Sequence, residues 1–369
     1  MTVGSVLTQL ENTMGNTPAF DGAPSNLVHL QNAKGMTASF MDVGATWLSC
    51  TLPLDTGRRE VLLRSPDMAE HMKQTAYFGT TVGRYANRID GGRFSINGEE
   101  FQLSQNEGNN ILHGGKDGFD KRRWTIEHQT ETSVTFGLAL KDGDQGFPGN
   151  LVARVTFTLS DDNAVEIEYH AECDKICPVN LTNHAYFNLA GEGSGAKSLE
   201  HTLLMHATHY LPTRADLIPV GEWKNAAGTA FDFSTAKTIG RDFLADDDQK
   251  LAGGYDHAFI FDAAYCDGHK AAATLISPDG AVTMAVATTK PAIQFYSGNF
   301  LEGTPGASGT YALYDGLALE TQFLPDGPNH RVGDVERDFA GGRDLPSYHP
   351  LHVFFLIQKC LRPEAFFIG

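Results

Sequence analysis

A hydrophobic period of two, recurring along most of the chain, limits the folds open to it more than any other feature. Val155, Phe157 and Leu159 alternate with Arg154, Thr156 and Thr158; after Asp161-Asp162-Asn163, Val165, Ile167, Tyr169 and Ala171 alternate with Glu166, Glu168 and His170. Successive side chains of a strand point to opposite faces, so alternation on both sides of a turn reads as an antiparallel hairpin with one wet face. Phe94 and Ile96 lead into Asn97-Gly98 and then Phe101 and Leu103. Asn-Gly is the strongest short hairpin signal. Thr274–Ile276, Pro278-Asp279-Gly280 and Val282, Met284, Val286 make another hairpin, and Val134–Leu140 and Val353–Ile357 are further strand-like runs. Helical periodicity is confined to residues 67–75 and 241–251, and strands do not alternate with helices as a parallel sheet requires. The expectation is an all-β chain: one large antiparallel β-sandwich over residues 25–369 with few short helices, preceded by an N-terminal extension, residues 1–24.

Composition supports a large core and narrows the partners. Of 369 residues 41% are hydrophobic, and the formal net charge is −17. A surface of that sign repels nucleic acid and anionic membranes, so neither is an expected partner. No apolar run approaches the roughly 18 residues of a spanning helix, and no secretory leader is recognisable. Cys50, Cys173, Cys177, Cys266 and Cys360 are an odd, scattered set, which fits reduced thiols and a cytoplasmic setting better than a disulfide framework. Cys173 and Cys177 form a C-x3-C without a second pair, a poor zinc signature. No heptads or apolar patch suggest self-association, so a monomer is the default.

Five stretches break the alternation and concentrate polar groups among glycines and aromatics: Tyr77–Ile89, Asn109–Trp124, Asn180–Leu189, Gly254–Ile260 and Leu319–His330, with Ile293–Phe300 a milder sixth. Sites tend to break local rules in this way. Each residue has an ordinary reading: Arg88 as a surface ion pair, His113 bonding its own turn, His184 as a satisfied core histidine, Asp256 capping the turn after Gly253-Gly254. Glu320 is harder to dismiss. It sits in an apolar run with Leu317, Ala318 and Leu319, and an unpaired buried carboxylate is costly.

Taken together, these segments resemble the aldose 1-epimerase (galactose mutarotase) family from about residue 25 onward. The matching pieces stand in the family's order: YFGTTVGRYANRI at 77–89, LHGGKDGFDKRRW at 112–124, LTNHAYFNLAG at 181–191, GYDHAFI at 254–260, IQFYSGNFL at 293–301 and LETQFLPDGPNH at 319–330. The resemblance implies a β-supersandwich and an isomerase that interconverts the α and β anomers of a free aldose, a galactose- or glucose-type hexose or a pentose. It implies His184 as general acid and Glu320 as general base, with substrate contacts at Asn87, Arg88, His113, Tyr186, Asp256 and Gln294. No cofactor and no metal are expected, and the partner is a small monosaccharide. Ala185 stands where a serine is common, and Phe295 and Ser297 vary the usual pattern; both changes touch sugar preference.

The chemistry suits these groups. A base takes the proton of the anomeric hydroxyl while an acid protonates the ring oxygen, the C1–O5 bond opens, and the ring recloses on the other face of the aldehyde. A carboxylate and an imidazolium near neutral pH make such a pair, regenerated on closure. Tyr77, Tyr186, Phe295 or Tyr296 offer a stacking face for a pyranose. Three alternatives remain open. One is a metal enzyme, for which His201, His206 and His209 cluster in sequence but no H-x-H or HExxH spacing accompanies the site. Another is a catalytically idle sugar-binding protein. The third is an epimerase for a phosphorylated or acidic sugar, for which Lys121, Arg122 and Arg123 are the candidate anion contacts.

Overall fold

Three sheets carry the architecture of the computed structural model, which describes residues 3–330 and the strand at 351–359. The largest has nine strands in the spatial order 125–129, 133–140, 151–159, 164–173, 351–359, 282–288, 273–276, 202–205 and 237–238. Its central hairpin pairs Val155 with Tyr169 and Phe157 with Ile167 in antiparallel register, and burial alternates residue by residue along both arms. Strand 351–359 runs antiparallel between 164–173 and 282–288, joining the sheet's two halves. The hairpins expected at 94–103 and 274–286 are present, as are the runs near 134–140 and 353–357. Cys360 lies outside the described residues.

The second sheet has six strands, ordered 186–187, 317–322, 292–296, 256–261, 207–210 and 224–225. Its three middle strands 317–322, 292–296 and 256–261 are buried at every position. One face gives Phe259, Ile293, Phe295 and Leu319 to the core that also holds Phe136, Val155 and Phe157 of the nine-stranded sheet. A third sheet, 27–31, 37–41, 46–54 and 57–60, stacks Phe40 on Phe157 with ring centroids 4.4 Å apart. This is the antiparallel β-sandwich that the period of two predicts. A buried middle strand needs a second cover, and for this sheet part of that cover is the site described below.

Helices are few and short. Met68–Lys73 falls inside the first helical window and Asp247–Ala252 ends one residue past the second, and each is capped by an aspartate accepting a backbone N–H, Asp67 from Glu70 and Asp246 from Asp248. Val3–Leu10 is a helix the sequence pattern does not announce. Val6, Leu10 and Met14 pack on Met41, Val43, Leu48 and Met68, so tertiary burial rather than a long amphipathic stripe holds it. No helix among the described residues is long and apolar enough to cross a membrane.

One tight passage ties the third sheet to the site. Gly79 accepts from the N–H of Trp47 at 2.8 Å and donates to the carbonyl of His184 at 2.9 Å. Its φ is +65°, and a Cβ there would sit 2.1 Å from the Trp47 carbonyl oxygen. Backbone must move to admit a methyl group. Gly79→Ala is therefore expected to lose about 1–3 kcal/mol, read as a lower urea midpoint; an unchanged midpoint contradicts this account of the passage.

Candidate active site

The pleat of the six-stranded sheet builds the floor of the site. Gln294 pairs with Glu320, Asp256 with Tyr296, and Tyr186 with Ala318, and directly opposed residues share a face. Glu320, Gln294, Tyr296, Asp256 and Tyr186 therefore project away from the core. Alternation explains why Phe295 does not: it belongs to the core face, whereas Tyr77, Tyr186 and Tyr296 line the cavity.

The other wall comes from two passages that lie side by side. His184 follows the two-residue strand 182–183, which pairs with 81–82, and its N–H donates to the carbonyl of Thr80 at 2.9 Å. Its ring packs between those of Tyr77 and Tyr186, at centroid distances of 5.8 and 5.0 Å. Strand 88–89 pairs with 111–112, which sets Asn87 and Arg88 beside His113. Asn87 and His113 both hold positive φ. The N–H of Asn87 donates to Nδ1 of His113 at 3.1 Å. A backbone N–H can only donate, so the neutral His113 ring carries its proton on Nε2.

These walls enclose a cavity of about 620 Å³. Asn87, Arg88, His113, His184, Tyr186, Asp256 and Glu320 all line it. Gln294 does not; its amide donates to Asp256 at 2.7 Å. His201, His206 and His209 lie elsewhere: His201 caps Leu189, His206 stacks on Tyr265 and His209 bonds Thr208. Glu107 is the residue the sequence reading missed. It binds Arg88 bidentately, at 2.7 and 2.8 Å. The polar run 105–110 after the 93–102 hairpin was its only signal. Of the basic cluster, Arg122 is taken by Asp144 and Arg123 by Asp21 and Asp42; only Lys121 reaches the cavity.

His184 Nε2 lies 3.5 Å from Glu320 Oε1, and both side chains are under 10% exposed. The floor that carries Glu320 and the irregular wall that carries His184 thus meet at these two atoms. Burial drives their charges. It holds the His184 imidazole down at about 4, and it pushes the Glu320 carboxyl well above the usual range, with Asp256 adding to the rise and the Arg88 guanidinium opposing it. Burial also works against the Arg88 cation, but Asp256, Glu107 and Glu320 more than offset it. His113 is kept neutral by burial, His184 and Arg88. Burial therefore favours a neutral His184 imidazole over the expected imidazolium.

Three ligand-capable atoms of His113, His184 and Glu320 lie within 4.8 Å of one another. That convergence was invisible in the chain spacing. The donor set fits a metal poorly for a local reason: with Nδ1 of His113 accepting from Asn87, the neutral ring's Nε2 bears a proton and offers no lone pair.

Residues 26–337 match a family model described as aldose 1-epimerase. Aldose 1-epimerase of Escherichia coli (strain K12) is 51% identical over 322 residues, 86% of this chain and 92% of the relative. Galactose mutarotase of Bos taurus is 38% identical over 272 residues, 73% and 77% of the two chains. A crystal structure of an aldose epimerase homologue from C. elegans superposes with a TM-score of 0.79 at 28% identity, covering 91% of this chain and 99% of that one.

The burial argument has a direct check. In pH-dependent NMR of the labelled imidazole rings, the resonance lost in His184→Asn should titrate near 4 rather than at the ordinary 6.5. An inflection at or above 6.5 contradicts it.

Proposed function

The chain belongs to the aldose 1-epimerase family, and from that we propose that Glu320 and His184 interconvert the α and β anomers of a free aldose by paired proton transfer. The carrying observation is the 3.5 Å separation of His184 Nε2 and Glu320 Oε1 at the floor of a cavity of about 620 Å³. The anomeric hydroxyl and the ring oxygen are bonded to the same carbon. Groups that serve both must stand next to each other, and these do. Glu320 takes the proton of the anomeric hydroxyl and His184 delivers one to the ring oxygen, so the C1–O5 bond opens. The aldehyde turns about C1–C2, and closure on its other face reverses both transfers.

Proton accounting reconciles this with burial. A neutral imidazole beside a carboxylic acid and an imidazolium beside a carboxylate hold the same single proton. The pair titrates as a unit, and its one-proton state is the working one. With two protons the base is missing; with none, the acid. Burial by itself favours the uncharged arrangement. A polar sugar supplies hydroxyls to both groups, and Arg88 lies close enough to favour the ionised Glu320.

The remaining groups position the ring. His113 offers Nε2–H, and Arg88 a fixed positive charge, to hydroxyls or to the oxygen that gains charge as the ring opens. Asp256, steadied by Gln294 and facing Arg88 at 3.8 Å, accepts from further hydroxyls. Tyr77, Tyr186 and Tyr296 cover an apolar face of the sugar. Asn87 shapes His113 through its backbone. The substrate is a galactose- or glucose-type hexose, with pentoses also accommodated, and the enzyme works in the cytoplasm. An idle sugar binder has no need of an acid and a base at hydrogen-bonding range, and the engagement of Arg122 and Arg123 elsewhere weakens the case for a phosphorylated sugar.

Glu320→Gln should keep the fold and slow the polarimetric relaxation of freshly dissolved α-sugar by about two orders of magnitude or more. A near-wild-type rate removes Glu320 from the role of base.

A further inference from the structure

The C-x3-C pair plays no part in that reaction, yet it occupies an unusual environment. Cys173 ends strand 164–173 opposite Leu151, and Cys177 follows in the loop that leads to His184. Cys173 Sγ donates to the carbonyl of Pro148 at 3.7 Å, which Arg84 also binds, and Cys177 Sγ donates to that of Pro178 at 3.4 Å. Arg84 lies against them, 2% exposed, with Nη1 at 3.4 Å from Cys177 Sγ and donating to the carbonyls of Pro148 and Gly149 at 2.8 and 3.2 Å. Among the described residues its Nε and Nη2 have no partner. A buried guanidinium without a carboxylate is costly, and its charge lowers the proton affinity of both neighbouring thiols. The neighbouring Cys177 thiol and nearby backbone bring the part-exposed Cys173 thiol down to about 6, against the opposing effect of burial, while burial raises Cys177. Cys50 is fully buried and Cys266 is pushed up to about 11. Of these four cysteines, Cys173 is the accessible nucleophile.

We propose that Cys173 and Cys177 are a peroxide-reactive thiol pair, Cys173 attacking and Cys177 resolving, whose closure to a disulfide slows the enzyme. The Cys173 thiolate attacks one oxygen of hydrogen peroxide; the S–O bond forms, the O–O bond breaks, and hydroxide leaves and is protonated to water. Cys177 then gives up its proton and attacks the sulfenic sulfur. The S–S bond forms, the S–O bond breaks, and a second water leaves. Two thiols lose two electrons and one peroxide is reduced to two waters.

The coupling to turnover runs through Arg84 and Asn180. Closure turns Cys177 Sγ, which Arg84 Nη1 contacts at 3.4 Å, towards Cys173 and so disturbs the setting of Arg84. The carbonyl of Arg84 accepts from Asn180 N–H at 2.9 Å, and Ala86 N–H donates to the Asn180 carbonyl at 2.8 Å. Arg84 precedes Asn87 and Arg88 on one side of this joint; Asn180 precedes His184 on the other. A shift at the joint moves the acid relative to the guanidinium.

The effect on turnover rests on the isomerase reading, whereas the bridge itself does not. Reduced protein is treated with stoichiometric hydrogen peroxide, then examined by intact mass, peptide mapping and polarimetry. We expect a loss of two hydrogens mapping to a Cys173–Cys177 bridge and a several-fold drop in rate, both reversed by dithiothreitol. Cys173→Ser should keep the basal rate and ignore peroxide; Cys177→Ser should trap a dimedone-reactive sulfenic acid on Cys173. No bridge, a bridge between other cysteines, or a bridge with an unchanged rate overturns the proposal. Reduced protein that fails to mutarotate at all counts against the isomerase reading alone, since the mass map still tests the pair.

Discussion

A carboxylate in the middle of a strand buried at every position sets the terms for the rest of the site. Glu320 has Leu319 and Thr321 as neighbours and is itself 2% exposed. Removing an ionised carboxylate from water costs several kcal/mol even after relaxation. The protein meets that cost in two ways: it places Arg88 close enough to oppose the rise in the carboxyl's affinity for protons, and it leaves His184 at 3.5 Å as a group with which a proton can be shared. Arg88 is nearly buried too, and Glu107 and Asp256 hold it charged. Each charge in the cavity is explained by the next, and the chain of explanations ends at the half-exposed Glu107.

The sandwich makes such an arrangement affordable in structural terms. Because side chains alternate along a strand, 317–322 sends Leu317 and Leu319 into a continuous core and Glu320 into the cavity without any irregularity of backbone. Core packing fixes the strands, and register then fixes the distances between Glu320, Gln294 and Asp256. The opposite wall is irregular where the sheet is regular. Gly79, Asn87 and His113 all have positive φ, and their backbones cross-link the segments that carry His184 and Arg88.

Much of this was legible in the chain. The period of two predicts the hairpins at 94–103, 151–173 and 274–286, because adjacent strands share one local pattern. Glu320 stood out as a charge in an apolar run, and six ordered segments resembling a known family gathered residues far apart in sequence. Pairings such as 164–173 with 351–359 were not legible, since nothing local records which distant strands meet. Gln294 was chosen as a substrate contact, but only the folded chain shows that its amide is engaged by Asp256 and that Asp256, not Gln294, lines the cavity. Glu107 escaped notice because its role depends on Arg88, nineteen residues away. The pull of burial on His184 was not legible for a similar reason: the residue types suggest an imidazolium, and only the depth of the ring favours its neutral form.

The central claim is that Glu320 and His184 act as one proton-transferring unit. A double-substitution cycle measures that most directly, with polarimetric rates for Glu320→Gln, His184→Asn and the two combined. If the pair is a unit, the combined variant is no more than a few-fold slower than the slower single one, because breaking either half already disables the exchange. Losses that multiply in the combined variant would show two independent contributions and contradict the account.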